Sequence, residues 1–516
     1  MKKTFHILIY ISMPLFSIAQ VLYPESEHLD YQRILEIKNP SIESRLNIFP
    51  SIISPYDTDS IDWDIWQQNS TKTLDEKVSL LPLRWSNHFN SEYARGYNDG
   101  ALWKGKGLTS SLQGGIQGKI GMLEYTLAPI VFYSQNADFQ LAPQSGGNSI
   151  YNYQFRNARI DYVQRYGDDS FTRFNPGQSE VRLVHKSVTL GISTQNLTWG
   201  PGQQNALIMS NNASGLPHID FGTHKPIKTK IGRFEGKIYY GVLESSSYFS
   251  LSENFGNRFW TGMSLGYNPS FLPELTLGFN RAFYKNANEF KPVDLLVLLG
   301  KFDDTDGDPA VNDEFDQIGS VTMRWLFKEA GFEMYAEYGK NDFGGKFWGT
   351  APEHARAYIL GFSKYVDVKE NNVLKLTYEH TSLDKPKNSI FRGYNSWYSH
   401  QIVRAGYTID GQIIGGGIGT GSVSDLFAAN YFMPKGRLLM RAQRIRFDDD
   451  YFFDVIQDEF NHDHEWTFEA KYSQFVGSYL IGVDLGFSFR QNQYFIINND
   501  KNNVFFGLNF TKSFNR

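Results

Sequence analysis

The feature that most constrains this chain is apolar/polar alternation sustained over hundreds of residues. In Ile481-Gly482-Val483-Asp484-Leu485-Gly486-Phe487-Ser488-Phe489-Arg490 every odd position is apolar and every even position is glycine, serine or charged. Successive side chains of a strand point to opposite faces, so this strand has one apolar and one polar face. The pattern recurs in Trp466 to Ser473, Val373 to Glu379, Phe332 to Gly339 and Val321 to Phe327. A soluble sandwich would bury the apolar faces in a shared core. A transmembrane β-barrel turns them to lipid and keeps the polar faces around a lumen.

The N-terminus favours the membrane alternative. Lys2 and Lys3 precede a short apolar run, Phe5 to Phe16, and Ser17-Ile18-Ala19 offers small residues for cleavage. This reads as a secretory signal over 1–19, too short for a membrane helix. No later segment approaches the roughly 20 uninterrupted apolar residues that a spanning helix needs. An exported chain with no spanning helix is either soluble or crosses a membrane as a barrel. The absence of cysteine excludes a disulfide framework and any Cys-ligated metal. Aromatic residues make up 16% of the chain, as interfacial girdles require. Mean hydropathy of −0.40 does not oppose this, because alternation halves what a window average detects. The formal net charge is −5, and loss of Lys2 and Lys3 makes it more acidic, so no basic field for nucleic acid exists.

Residues 20–79 do not alternate. Glu25 to Ile37 reads as a short amphipathic helix ended by Asn39-Pro40, and Ile61 to Gln67, with Trp63 and Trp66, as a second helical turn. This segment is expected to be a helical periplasmic cap or plug, with a flexible lead-in as the alternative. Residues 80–516 form one array of strands. Segments are placed near 80–92, 108–118, 122–135, 181–196, 232–245, 258–268, 274–284, 317–327, 332–341, 355–366, 373–382, 400–409, 412–420, 424–433, 437–447, 464–474, 479–490 and 503–514. Short links such as Asp410-Gly411, Pro434 to Gly436 and Phe475 to Ser478 alternate with long ones such as 285–316, 383–399 and 448–463. Short turns on one side and long loops on the other mark an outer-membrane barrel, here an antiparallel all-β barrel of about 18 strands. Lys291 to Lys301 is either a further strand or part of a loop.

The densest cluster of unusual residues runs from Asn196 to Ala213. Gly200-Pro201-Gly202 demands a tight turn after Trp199, and Gln203 to Ser210 could form a helical turn or two. The amides of Gln203, Gln204, Asn205, Asn211 and Asn212 carry paired donors and acceptors suited to sugar hydroxyls, and Trp199 could stack on a pyranose. The alternative is an internal loop folded on the barrel wall, its amides satisfying buried backbone.

These residues carry a resemblance. Trp199-Gly200-Pro201-Gly202, followed by Ser210-Asn211-Asn212-Ala213 and Pro217, resembles the signature of the capsule assembly Wzi family. Arg95-Gly96-Tyr97-Asn98-Asp99-Gly100-Ala101-Leu102-Trp103-Lys104-Gly105-Lys106-Gly107 resembles that family's segment ahead of its early strands. Ile160-Asp161, Arg165-Tyr166-Gly167, Gly177-Gln178-Ser179 and Arg182 resemble its approach to the turn. The specific motifs are confined to about 95–217, within a resemblance of barrel length. It implies an 18-stranded outer-membrane barrel with periplasmic helices, and the strand count above leans on it. It also implies a monomer in outer-membrane lipid that attaches capsular or exported polysaccharide to the cell surface without a cofactor. Asn98, Asp99, Trp103, Arg182, Trp199, Gly200, Pro201, Gly202, Asn211 and Asn212 are the resulting candidates for glycan contact or for structural motifs.

Other signals are weaker. Asp304, Asp306 and Asp308 could offer oxygen ligands to calcium but lack the twelfth-position glutamate. His462 and His464 could share one face of a strand, as a metal pair would, or lie in an exposed loop. The expected lumen face carries Arg324, Glu333, Glu337, Lys375, Glu379, Glu469, Lys471, Asp484 and Arg490, which either hold a polar chain or cross-link the interior. Arg437, Arg441, Arg444 and Arg446 do not share one strand face, so a single anion site is not expected. A diffusion porin and an outer-membrane hydrolase are the alternatives. No nucleophile elbow or HExxH motif supports the latter, and no enzyme is expected.

Overall fold

The structure is a computed structural model that describes residues 27–40, 42–50, 65–66, 77–143, 149–153, 159–249, 256–300, 315–341, 351–369, 371–390 and 395–514. Residues 1–19, read above as a secretory signal, most of Ile61 to Gln67 and the run Asp303 to Asp308 lie outside them.

The alternating segments pair with their sequence neighbours as antiparallel strands. Lys501–Lys512 then pairs with Leu83–Asn90, joining the end of the sheet to its start. A closed sheet leaves no strand edge without partners, which hydrocarbon requires. Several staves are broken. Gly107–Gln113 continues into Ile116–Ile120, and Phe171–Asn175 into Glu180–His185. A count of staves therefore depends on which breaks are joined.

The pleat sorts the side chains as alternation dictates. On Tyr479–Gln491, Val483, Leu485 and Phe487 are exposed outward while Gly482 and Ser488 are buried inward. Exposed Trp85, Leu112, Phe221, Leu360, Phe427, Phe468 and Phe506 continue this apolar outer surface around other staves. Such a belt is stable only against lipid.

The lumen is divided. On the side of strands Gly232–Leu243 to Arg356–Lys369 it holds an apolar core built on Trp199, Leu207, Ile208, Trp260, Tyr284, Ile359, Trp397 and Tyr407. On the opposite side the wall is polar and encloses a chamber. The uniformly wet lumen implied by strand alternation holds only for that second side.

Helix α1 (Glu27–Lys38) sits at the short-turn end. Tyr31, Ile34 and Leu35, spaced for one helical face, are fully buried against Leu326, Tyr365, Val373 and Phe432. Asn39 ends the helix by donating from its backbone to the Leu35 carbonyl at 2.9 Å, and Pro40 cannot continue it. The polar face enters a buried ion network. Arg324 joins Glu36 at 2.6 Å and Glu333 at 2.8 Å, and Asp30 meets Lys375 at 2.8 Å and Arg437 at 3.1 Å. The inward charges on these strands thus cross-link helix and wall. Removing one partner would strand the other in low dielectric.

Two expected barrel strands are absent. Residues 400–409 and 412–420 contribute only the short ladder Thr408–Ile409 with Gln412–Ile413. They belong to a long connection folded into the lumen, where Val403, Tyr407, Ile409 and Ile413 are all buried. Alternation carries no facing information inside a core. The Asp410-Gly411 turn, with Gly411 at φ +77°, therefore lies on the long-loop side. Conversely, 181–196 is two strands, Glu180–His185 and Val188–Ser193, and the short strands His218–Thr223 and Ile227–Thr229 were not expected, although His218-Ile219-Asp220-Phe221 does alternate. Of Lys291 to Lys301, the described residues form a short helical stretch within a loop, Pro292–Leu296 and Val297–Gly300.

Candidate functional site

The Trp-Gly-Pro-Gly segment lies deep in the barrel. Leu197–Trp199 pairs with Ile48–Pro50, so the N-terminal segment and an inward-folded loop make a small sheet inside the lumen. Trp199 is 0% exposed, with ring centroids 5.3 Å from Tyr239 and 5.9 Å from Trp260. It cannot stack on a sugar without leaving this core. Gly200 has φ +84°, and a Cβ there would press on Thr322 and Glu337. Its N–H donates to the Asn47 carbonyl at 2.8 Å. Gly202 backs onto Ile359 and Ala206. Beyond the turn, the N–H groups of Gln203, Gln204 and Asn205 donate to the Glu379 carboxylate at 2.7–3.0 Å. Residues 203–210 form bends rather than the expected helical turn. A carboxylate from the wall satisfies amides that a helix would have paired internally.

Asn98, Asn211 and Asn212 are brought together. Asn98 donates to the Gln204 carbonyl at 2.8 Å, Asn211 to the Asn98 carbonyl at 2.6 Å, and Asn212 to the Ile413 carbonyl at 2.9 Å. These amides lace three loops together. Asp99 pairs with Lys104. Trp103 donates to Asn136 at 3.3 Å and packs edge-on against Tyr166 at 5.0 Å. Arg182 stands apart from this group. It lies on Glu180–His185 and binds Glu180 and Asp220 in a wall-side ion cluster.

The long-loop end opens into a vestibule of about 150 Å³. Its lining comes from six separate connections and includes Tyr97, Tyr153, Tyr162, Phe447 and Tyr494. Arg490 is held by Asp463 through two bonds of 2.7 Å and lies 4.0 Å over the Phe447 ring. Arg95 donates to Glu465 at 3.1 Å, and Tyr93 donates to the same carboxylate at 2.6 Å. The cations are therefore neutralised and stacked, which fixes the aromatic walls. Burial pushes the phenols of Tyr97 and Tyr162 up and that of Tyr494 up to about 12, so all three remain neutral donors at physiological pH. Burial also raises Asp463, with Arg490 opposing it.

A profile for the capsule assembly protein Wzi family matches residues 75–449. The chain belongs to that family. Among solved structures, the Escherichia coli Wzi protein aligns with a TM-score of 0.62 at 12% identity, covering 95% of this chain and 99% of that one. It is described as an outer-membrane protein involved in group 1 capsule assembly and a carbohydrate-binding β-barrel. Acinetobacter baumannii OccAB4 aligns with a TM-score of 0.42 at 11% identity, over 85% of this chain and 98% of that one. No curated protein matches the chain. The Wzi-family fold is that of an outer-membrane β-barrel, in agreement with the lipid-facing belt.

The other sequence candidates of this Wzi-family chain fall outside the vestibule's chemistry. His462 is spent on Asp449 at 2.7 Å and stacks on Phe452. No group of metal-ligating side chains occurs among the described residues. One Gly-x-Ser-x-Gly run exists, Gly262 to Gly266, but it lies within strand Arg258–Pro269 and Ser264 is buried, accepting from Asn47 at 2.9 Å. It is no nucleophile elbow. Sequence reasoning missed Tyr153, Phe447 and Tyr494, which lie in three separate loops, the first nearly three hundred positions from the other two. The one local signal was a run of aromatic residues interrupting long connections.

Proposed function

We propose that this chain binds a capsular or exported polysaccharide at its long-loop vestibule and holds it at the outer membrane without chemical turnover. The observation that carries this reading is the tyrosine-walled cleft whose arginines are already paired and stacked. Aromatic faces suit the apolar faces of sugar rings, and neutral phenols and loop amides suit hydroxyls. The Trp-Gly-Pro-Gly turn and the asparagines act in this reading as the frame that holds the loops. Membership of the Wzi family supports it, as does the fold shared with a carbohydrate-binding barrel.

The test is retention of glycan on cells. In a deletion strain complemented with Tyr97→Ala and Tyr162→Ala together, cell-bound polysaccharide should fall several-fold and released polysaccharide should rise. The variant must reach the outer membrane in normal amount. Wild-type retention in the complete deletion strain, with export intact, would remove the reading.

A further inference from the structure

Part of the outer wall of the barrel is covered by the chain itself. On strands Gly232–Leu243, Arg258–Pro269 and Leu275–Asn286, the side chains of Tyr239, Trp260, Ala282 and Tyr284 enter the interior core. Their sequence neighbours therefore point outward. Pairing sets Ile238, Met263 and Arg281 in one outward row, and Tyr240 and Phe283 in the next. Phe259 and Lys285 share the row nearest the long-loop end. Arg281, Phe283 and Lys285 are nonetheless buried. The connection that follows Asn286 folds back over the outside of the wall and covers them.

The covering segment, Ala287 to Leu298, has two faces. Asp294, Val297 and Leu298 share one side of its short helical turns. Val297 and Leu298 join Phe283 in a small apolar cluster, against which Ile238 and Met263 pack. Lys285 donates to Asp294 at 3.1 Å, and the Tyr240 phenol donates to the Leu295 carbonyl at 2.8 Å. Phe290 packs on Phe259 with ring centroids 4.8 Å apart. Arg281, one row further from the loop end than Phe283, donates to Gln317 at 2.8 Å. The other side of the segment is apolar and open. Val293 is 66% and Leu296 58% exposed, and Phe290 and Leu295 are exposed beside them.

That open edge continues the apolar belt. Val242, paired with Phe259, and Leu265, two positions from Met263, are exposed outward residues of the same strands. A segment seated among them, with apolar side chains turned away from the wall, meets the same medium as they do. Left bare, the wall would set a guanidinium and an ammonium against hydrocarbon, which is costly. The edge is four side chains, far short of the roughly 800 Å² per partner of a stable protein interface, which favours lipid over a second copy.

We propose that Ala287 to Leu298 is an external flap immersed in the outer leaflet. It docks on lipid acyl chains through Val293, Leu295 and Leu296, and it forms the lipid face of this part of the barrel in place of the strands. The Lys285–Asp294 pair fastens it to the wall.

The chain has no cysteine, so a single introduced cysteine can carry a nitroxide without background. Val293→Cys and Leu296→Cys are made in the full chain and placed in phosphatidylcholine vesicles. Leu485→Cys on the belt is the lipid standard. Glu329→Cys, exposed in the short turn between Asp316–Phe327 and Phe332–Asn341, is the water standard. Collision with oxygen and with a water-soluble nickel chelate is read by electron paramagnetic resonance. Both flap positions should match Leu485, with nickel collision several-fold below that at Glu329 and oxygen collision several-fold above it. Nickel collision equal to that at Glu329 would place the segment in water and overturn the proposal. Spectral broadening between labels, with both reagents excluded, would make a second copy the occupant and overturn it too. The unlabelled wild type supplies a measurement that no label can disturb. In vesicles doped with a lipid carrying a diazirine on its acyl chain, photolysis should leave adducts within 287–298. Adducts around Leu485 with none in the flap would overturn the proposal. Heat-modifiability confirms that each variant has folded.

Discussion

Arg33 of the N-terminal helix donates through Nη2 to the Pro201 carbonyl at 3.0 Å, across 168 positions of sequence. Its Nη1 reaches Glu333 on the wall at 3.5 Å. The helix, the Trp-Gly-Pro-Gly turn and the barrel are thus tied by one guanidinium. Arg33→Ala should loosen the helix by about 1.5–3 kcal/mol, the usual range for a hydrogen bond to a charged group. Hydrogen exchange of residues 27–38 should rise while heat-modifiability of the barrel stays unchanged. Equal exchange in both proteins would show that the tie contributes nothing.

Asp30 makes the attachment of that helix pH-dependent. Burial pushes its carboxyl up, but Lys375, Arg437 and Arg33 outweigh burial and hold it far below its ordinary value of 3.8. A carboxyl lowered in the folded state contributes stability above its unfolded value and loses it as pH falls toward the folded one. Exchange protection of the helix should therefore hold steady from neutral pH down to about 5 and weaken below about 4. Asp30→Asn should flatten that profile.

Leu485 is 59% exposed on the outer face and its neighbour Asp484 points inward. Leu485→Arg should cost about 2–4 kcal/mol if the site lies near the bilayer midplane. Asp484→Asn keeps an oxygen for Asn509, which donates to it at 3.1 Å, and should be mild. Heat-modifiability of the two variants in outer-membrane fractions separates them.

Asn211→Ala with Asn212→Ala removes the donors to the Asn98 and Ile413 carbonyls. Stranding those carbonyls should cost about 1–3 kcal/mol each. Folded yield in the outer membrane should fall, and glycan retention should fall in proportion. Normal yield with reduced retention would instead give these amides a direct sugar contact.

The barrel was legible because one face of each stave meets lipid. Leu485, Phe468 and Phe506 obey a two-residue period for that reason. The helix at Glu27–Lys38 was legible through Tyr31, Ile34 and Leu35, spaced for one face. The segment from 400 to 420 was misread because Val403, Tyr407 and Ile413 are buried among inward loops, where apolar spacing no longer reports a face. For Trp199 the sequence left two uses open, and its full burial matches the inward-folded loop. Nothing local distinguishes an indole that meets a sugar from one that fills a core between Tyr239 and Trp260. The vestibule was illegible because Tyr97, Tyr162 and Tyr494 converge only after the loops fold.

The pairing of Lys501–Lys512 with Leu83–Asn90 makes the seam of the sheet the meeting point of its first and last strands. Both edges stay open until the strand Lys501–Lys512 is delivered. A chain cut short before Lys501 would present two unpaired rims to the bilayer, each with a row of unsatisfied amides and carbonyls. Such a chain gains no partial barrel in return. Closure of the seam is thereby written into membrane insertion, and a cell that clears unsealed barrels also clears copies of this protein cut short before Lys501.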